Sequence, residues 1–204
     1  MFEKIVNFFF SLFAVLLLAA IGYMLFSLTE TRRVNRELSG VVLPTGSVGV
    51  LELRQVPRFQ LVARDIHDPN LLRMHEMDVA LSRVVTRRGF GRIRPLVIEL
   101  PDTEWKIGDE RPITYALPLP DTQSITISNL SDYYVTFQET RPTICYAVKG
   151  PYNWKFFMAS FEKLKKWMIK NNTVPTGRPR ILLYNLHSYL PEELKVFEVQ
   201  IPVR

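Results

Sequence analysis

The chain has 204 residues, of which 47% are hydrophobic and 23% charged, and this balance excludes a disordered or collagen-like polypeptide. Its single cysteine, Cys145, excludes an internal disulfide and a zinc site built from cysteines. The formal net charge of +6 permits attraction to anionic lipid or nucleic acid but requires neither.

The N-terminal part of the chain is strongly apolar. Residues 5–28 contain no formally charged side chain, and a helix of that length covers a hydrocarbon core of roughly 30 Å. A cleaved signal peptide is the competing interpretation, but the run is longer than a usual signal-peptide core and no small-residue cleavage site follows Ala19 and Ala20. We therefore predict an uncleaved transmembrane anchor over residues 1–28.

The flanks of this run predict its orientation and the domain boundaries. The basic residues near it are Lys4 on one side and Arg32, Arg33 and Arg36 on the other. This distribution favours a single-pass membrane protein whose C-terminal part is cytoplasmic. Residues 29–45 have the composition of a juxtamembrane tether, and residues 46–204, about 160 in number, suit one domain with a single core.

The first half of this domain alternates strand and helix patterns. Apolar residues at helical spacing from Leu71 to Val85, ended by a basic turn and Gly89, predict an amphipathic helix. Alternating or β-branched segments predict strands at 48–56, 59–64, 93–100, 113–117, 124–129 and 133–138.

The second half repeats the pattern. The turn Gly150-Pro151-Tyr152 leads into a predicted helix whose apolar stripe is Phe157, Phe161, Leu164, Trp167 and Met168, and Asn171-Asn172 ends it. Strands are predicted at 143–148, 180–186 and 195–203.

Proline spacing links the two halves. Pro95 and Pro118 are separated by the same 23 positions as Pro179 and Pro202. We therefore predict an α+β fold in which two strand-helix-strand-strand units form one antiparallel sheet with two helices, preceded by one N-terminal transmembrane helix. Chance spacing in a chain with 14 prolines is the alternative.

The second half resembles the GyrI-like small-molecule-binding domain, the effector-binding domain of some AraC- and MerR-type regulators. The resemblance covers roughly residues 48–203 and depends on Gly150-Pro151-Tyr152, Trp167, Tyr184 and Glu198. It implies a cleft between two duplicated halves that takes a hydrophobic or cationic small molecule between aromatic walls, above an acidic residue that matches Glu198.

The chain departs from that family pattern in three places. Asp68-Pro69 stands where a Gly-Pro is expected, and Leu182 replaces an acidic residue often found two positions before the strand tyrosine. Both changes affect the charge preference of the ligand. A membrane segment precedes the domain where a helix-turn-helix would stand, so we expect no direct contact with nucleic acid.

Strand alternation singles out Glu198 as the candidate ligand-binding acid. In the last strand Phe197, Val199 and Ile201 point to one face, and Glu198 and Gln200 point to the other. A carboxylate facing an apolar pocket requires a cationic partner or a proton. The alternative is a solvated strand face.

Aromatic residues near this strand are the candidate pocket walls, because a ring face attracts cations. They are Tyr146, Tyr152, Trp154 and Tyr184. The alternative is that these rings belong to the ordinary core. The basic cluster of Arg83, Arg87, Arg88, Arg92 and Arg94 is typical of a solvated helix end.

Three functions fit these observations. The first is a membrane-anchored binding module for a small hydrophobic or cationic molecule. The second is a protein-interaction adaptor, expected if Tyr184 or Trp154 blocks the cleft. The third is a small-molecule hydrolase with Glu198 as general base. No metal-ligand spacing, nucleophile motif or cofactor motif occurs, and Cys145 in mid-strand is expected to be buried and inert.

Overall fold

The computed structural model describes residues 46–67, 73–87, 95–102, 104–106, 109–119, 132–184, 186 and 190–204, together with Leu17 and residues 20–24. The chain divides into two units, Met1–Val41 and Val42–Arg204. In the first unit the described residues are helical. The rest of the predicted span at 5–28 and the whole predicted tether at 29–45 lie outside the described residues. Among the helices that are described, none combines the length and the apolarity that crossing a membrane requires.

The described part of the second unit contains eight strands and two α-helices. In chain order they are β1 (Leu51–Val56), β2 (Phe59–Ile66), α1 (Met74–Arg87), β3 (Leu96–Glu99), β4 (Ile113–Leu119), β5 (Tyr134–Gln138), β6 (Arg141–Lys149), α2 (Trp154–Lys170), β7 (Arg180–Tyr184) and β8 (Val196–Pro202). A short 3₁₀ helix, Glu192–Leu194, precedes β8. The predicted elements are confirmed, except that the predicted strand at 124–129 lies outside the described residues.

All eight strands join one antiparallel sheet in the order β1-β6-β8-β7-β3-β4-β2-β5. The first half of this domain, β2-α1-β3-β4, contributes three adjacent strands in the order β3-β4-β2, and the second half, β6-α2-β7-β8, contributes three in the order β7-β8-β6. The two halves therefore have the same internal arrangement, and they meet where β3 pairs with β7. This confirms the predicted duplication and places β1 and β5 at the two edges of the sheet.

Helix α2 begins and ends at polar residues that complete its backbone hydrogen bonding. Asn153 is the N-cap, and its side chain accepts a 3.0 Å hydrogen bond from the amide of Phe156. Gly150 in the preceding turn has φ of 154°, and a Cβ there would lie 3.1 Å from the ring of Phe156, so only glycine fits. At the other end Asn172 adopts the left-handed conformation with φ of 49°.

One face of the sheet packs against both helices and forms the main core. Met74, Met77, Leu81 and Val85 of α1 and Phe157, Phe161, Leu164 and Met168 of α2 are buried there. They meet alternate residues of the strands, including Phe197, Val199 and Ile201 of β8. The apolar stripes predicted for the two helices are thus the surfaces that hold each helix on the sheet.

The opposite face, which we call the second face, carries its own apolar cluster. Its buried members are Leu61, Ala63, Val97, Ala116, Leu182, Tyr184 and Val196. Among the described residues, both α-helices contribute to the main core and neither contributes to this cluster. The candidate site lies on the second face.

Candidate functional site

Glu198 is completely buried on the second face of the central strand β8. The register places it in a row that is otherwise apolar: Ala63, Ala116, Val97, Leu182, Glu198 and Ala147. Strand alternation sends its neighbours Phe197 and Val199 into the main core. The predicted orientation of Glu198 is confirmed, and the alternative of a solvated carboxylate is wrong.

A polar row runs beside the apolar one across six strands. Its members are Asp65, Thr114, Glu99, Arg180, Gln200 and Cys145. Residues that face each other across adjacent strands have side chains on the same face of the sheet. The second face therefore combines an apolar row containing one carboxylate with a neighbouring row of hydrogen-bonding groups.

The chain itself supplies the cation that a buried carboxylate requires. Arg54, from edge strand β1, donates from Nη2 to Oε1 of Glu198, although the two residues are 144 positions apart in sequence. Gln200 donates from Nε2 to the same oxygen at 2.5 Å. Glu52 also faces Arg54, with 3.7 Å between its Oε2 and Nη1 of the arginine. The guanidinium thus links the buried acid to a partly exposed one.

The electrostatics of this group follow from burial and the ion pair. Burial alone would lower the pKa of Arg54, but the adjacent Glu198 carboxylate raises it above the ordinary arginine value. Burial raises the pKa of the Tyr184 hydroxyl, and the negative charge of Glu198 raises it further. Arg54 is therefore charged and Tyr184 neutral at any physiological pH.

Three buried polar atoms close to this group lack a hydrogen-bond partner among the described residues. They are Oε2 of Glu198, Oε1 of Gln200 and Nη1 of Arg180. Arg180 and Gln200 are cross-strand partners, and Glu198 lies two positions from Gln200 on the same strand. A buried polar atom without a partner costs about 1–3 kcal/mol. The arrangement leaves two acceptors and one donor available to a further molecule.

Tyr184 is the one predicted wall residue that shares the second face with Glu198. Its ring is buried, 5% exposed, in the apolar cluster with Leu182 and Val196. In the register of β7 with β8, Tyr184 faces Val196 and Leu182 faces Glu198, so Tyr184 and Glu198 are diagonal neighbours on one face. The structure therefore places Tyr184 on the same face as Glu198, and its role as a ligand wall stays a prediction.

The other three predicted wall residues pack against the main core. Tyr146 is a buried core residue whose hydroxyl accepts a 2.7 Å hydrogen bond from Nζ of Lys163. The ring of Trp154 packs edge-on against Trp105 at 4.8 Å. Tyr152 packs against Phe197 and donates to the carbonyl oxygen of Val196 at 2.6 Å. Their contacts are those of ordinary core side chains, and their role as ligand walls stays a prediction.

Cys145 lies in the polar row beside Gln200, and its thiol is buried. Burial raises the pKa of the thiol, and the charge of Glu198 raises it further. The thiol is thus protonated and poorly nucleophilic, as predicted. Within the part of the chain that the structure describes, no group of His, Cys, Asp and Glu residues is arranged to hold a metal ion.

The first half carries a more exposed polar group at the outer end of the same face. The Asp65 carboxylate accepts hydrogen bonds from the hydroxyls of Thr114 at 2.6 Å and Tyr134 at 2.8 Å. A cavity of about 430 Å³ is lined by Arg64, Asp65, Asp132, Tyr133 and Tyr134. Within it, the guanidinium of Arg64 lies 5.3 Å from the centre of the Tyr133 ring.

Sequence reasoning missed Arg54, Gln200 and Arg180 as parts of the site. The alternation that selected Glu198 also selects Gln200, which is the one local signal available. The partnership of Arg54 with Glu198 depends on β1 pairing with β6 and β6 with β8, and no sequence motif encodes that order.

Comparison with known proteins shows the fold but no family. No family model matches the chain, and no curated protein matches it. Among solved structures, the C-terminal domain of EcmrR superposes with a TM-score of 0.62 at 14% identity, covering 76% of this chain and 97% of that domain. EcmrR in its DNA complex superposes with a TM-score of 0.64 at 14% identity. That match covers 76% of this chain and 57% of the longer EcmrR chain.

A hydrolase from Listeria innocua has the same overall fold. It superposes with a TM-score of 0.55 at 13% identity, covering 78% of this chain and 94% of the hydrolase. At these identities the likeness establishes the arrangement of strands and helices alone. The α+β fold expected from the GyrI-like resemblance is thereby confirmed for the described domain.

Proposed function

We propose that this chain is a membrane-anchored small-molecule-binding protein whose ligand, a hydrophobic or cationic molecule, binds beside Glu198 between the two halves. The observation that carries the proposal is the fully buried Glu198 carboxylate, one oxygen of which has no hydrogen-bond partner among the described residues. A buried acceptor without a partner is destabilising, so a ligand that satisfies it gains binding free energy.

The surroundings of Glu198 support a ligand with an apolar body. Leu182, Val97 and Tyr184 lie in the apolar row or cluster next to the carboxylate, and such surfaces favour apolar groups. We extend the proposal to residues 1–28 as a membrane anchor and to a cytoplasmic position for the domain, on the apolar run and its basic flank.

The test is a thermal-shift screen of the full chain in lipid nanodiscs against neutral and cationic aromatic compounds. A compound that binds only the folded state raises the melting temperature, and the shift grows with the ratio of its concentration to its dissociation constant. Glu198→Gln should abolish the shift of a compound that binds at this site. Glu193→Gln is the matched control, because Glu193 is exposed on the 3₁₀ helix. A shift that Glu198→Gln leaves intact would contradict the assignment.

An interaction adaptor is the second candidate, and one observation favours it. Tyr184 is buried among apolar side chains, which is the arrangement expected if the aromatic residue fills the cleft instead of lining it. The same screen separates the two functions. Absence of any saturable ligand, together with capture of a protein partner that surface substitutions abolish, supports the adaptor.

A further inference from the structure

Two carboxylates of the second face are already paired with a cation. Arg54 pairs with Glu198, and Nε of Arg180 donates to Oε1 of Glu99 at 2.7 Å. Both acids and Arg180 are buried or nearly so, whereas the Arg54 side chain is 20% exposed. The Glu198 carboxylate therefore already has a cation beside it, supplied by the chain itself.

A cationic ligand at this site would meet repulsion as well as attraction. A cation placed against the free oxygen of Glu198 would lie within about 6 Å of the Arg54 guanidinium, which contacts the other oxygen. At such distances a like charge in a partly buried site opposes binding. The cation would also have to lose its hydration beside a carboxylate that already contacts Arg54.

The polar atoms without a hydrogen-bond partner favour a neutral ligand over a cationic one. Oε2 of Glu198 and Oε1 of Gln200 accept hydrogen bonds, and Nη1 of Arg180 donates one. The three side chains are at least nine-tenths buried. A neutral carboxamide offers two N–H donors and one carbonyl acceptor, which is the complement of this set.

We propose that Arg54 determines the charge class of the ligand: it occupies the cation position beside Glu198, so the site takes a neutral apolar molecule with a carboxamide-type head group. The inference rests on the proposed function and narrows it. Glu198 then serves as a hydrogen-bond acceptor fixed by Arg54, and the apolar row receives the body of the ligand.

Three matched probes test the inference by calorimetric titration of the full chain in nanodiscs, with empty nanodiscs as the blank. 2-Naphthamide supplies the neutral donor and acceptor, 2-acetonaphthone replaces its NH₂ with a methyl group, and 2-naphthylmethylammonium supplies the cation. The wild-type chain should bind the amide at least tenfold more tightly than either of the other two.

Substitution of Arg54 should reverse the preference for charge. Arg54→Met leaves Glu198 without its internal cation, so affinity for the ammonium probe should rise at least tenfold while affinity for the amide does not rise. Arg54→Lys retains the charge and should retain the wild-type order. Arg58→Met is the matched control, because Arg58 pairs with Glu139 at an exposed position and should change nothing.

The outcomes separate this inference from the function on which it rests. If the wild-type chain binds the ammonium probe as tightly as the amide, with Arg54 turning toward Glu52, the inference is overturned and small-molecule binding stands. If no probe binds saturably to any variant, both are overturned. The wild-type and Arg54→Lys measurements decide the matter even if Arg54→Met fails to fold.

Discussion

The two halves of the sheet carry different chemistry at matching positions of the second face. Four residues before Pro202, β8 has the buried carboxylate Glu198; four residues before Pro118, β4 has the buried hydroxyl Thr114. Thr114 donates to Asp65 and accepts a 2.9 Å hydrogen bond from Nη1 of Arg178. The carboxylate that Thr114 contacts thus lies at an exposed position on β2, whereas Glu198 lies inside the domain.

Because the two halves share one arrangement of strands and helices, that arrangement does not itself require the buried acid. Both halves use the same order of strands and the same apolar helix stripes, so the second half gains no structural advantage from a buried acid. Replacing a buried ion pair with well-packed apolar groups is often neutral or stabilising. The buried ion pair of Glu198 and Arg54 is therefore better explained by binding than by stability.

The largest expected effect comes from breaking the buried pair. Arg54→Met leaves the Glu198 carboxylate without its cation and should lower the free energy of unfolding by about 3–5 kcal/mol. Glu198→Gln removes the charge but keeps an acceptor and should cost about 1–3 kcal/mol. Because each single substitution leaves the other side chain without its partner, the double variant should lose less stability than the two single variants together. Urea unfolding of the four proteins measures this coupling.

A strictly additive double variant would contradict this account. It would mean that Arg54 and Glu198 contribute independently, and that the partly exposed Glu52 rather than Glu198 holds the guanidinium in solution.

The seam between the halves gives the next largest effect. Arg180 on β7 and Glu99 on β3 pair across the junction with little solvent exposure. Burial lowers the pKa of Arg180, and the charge of Glu99 opposes that shift. Glu99→Gln should therefore cost about 2–4 kcal/mol. The control is Glu139→Gln, which removes an exposed pair with Arg58 and should cost less than about 0.5 kcal/mol. Equal losses in the two variants would show that the pair of Arg180 and Glu99 is not effectively buried.

Most of the fold could be predicted because its signals are local. Helical spacing in α1 and α2, alternation in β8 and the stops at Gly150 and Asn171-Asn172 act within a few residues of one another. The order of the strands could not be predicted in the same way. It depends on pairings such as β1 with β6, in which Leu51 meets Tyr146 across most of the domain.

The site shows the same division between local and distant information. Alternation placed Glu198, and physical chemistry required a cation for it, but only the three-dimensional pairing identified that cation as Arg54. For Tyr146 the local signal was available: it shares strand parity with the core residue Ile144 and not with Cys145. The family resemblance, which concerned aromatic walls in general, did not distinguish the two faces.

Alkaline pH should produce a smaller effect, to which both halves contribute. Burial raises the pKa of Tyr184 above 10.0 and that of Cys145 above 9.0, and Glu198 adds to both shifts. Groups whose folded-state pKa is raised contribute stability below the unfolded-state pKa, and that contribution is lost as the pH rises. The free energy of unfolding should therefore fall above about pH 9, by at most about 1.4 kcal/mol per pH unit and group.

Substitutions measure the contribution of each half to this pH dependence. Cys145→Ala with Tyr184→Phe should reduce the fall between pH 9 and 10.5, measured by urea unfolding at each pH. Tyr115→Phe tests the first half, where burial likewise raises the tyrosine pKa. A fall of the same size in the protein that lacks both Cys145 and Tyr184 would contradict this assignment.

The smallest effect is expected at the exposed carboxylate of the first half. Asp65→Asn keeps an oxygen that accepts hydrogen bonds from Thr114 and Tyr134, and the side chain stays hydrated at this exposed position. The free energy of unfolding should therefore change by less than about 1 kcal/mol. Affinity for any compound whose thermal shift depends on Glu198 should not change. If Asp65→Asn weakens binding as strongly as Glu198→Gln, the 430 Å³ cavity beside Asp65 takes part in ligand binding. The binding site would then include residues of both halves, Asp65 as well as Glu198, and the proposed difference in chemistry between the halves would be wrong.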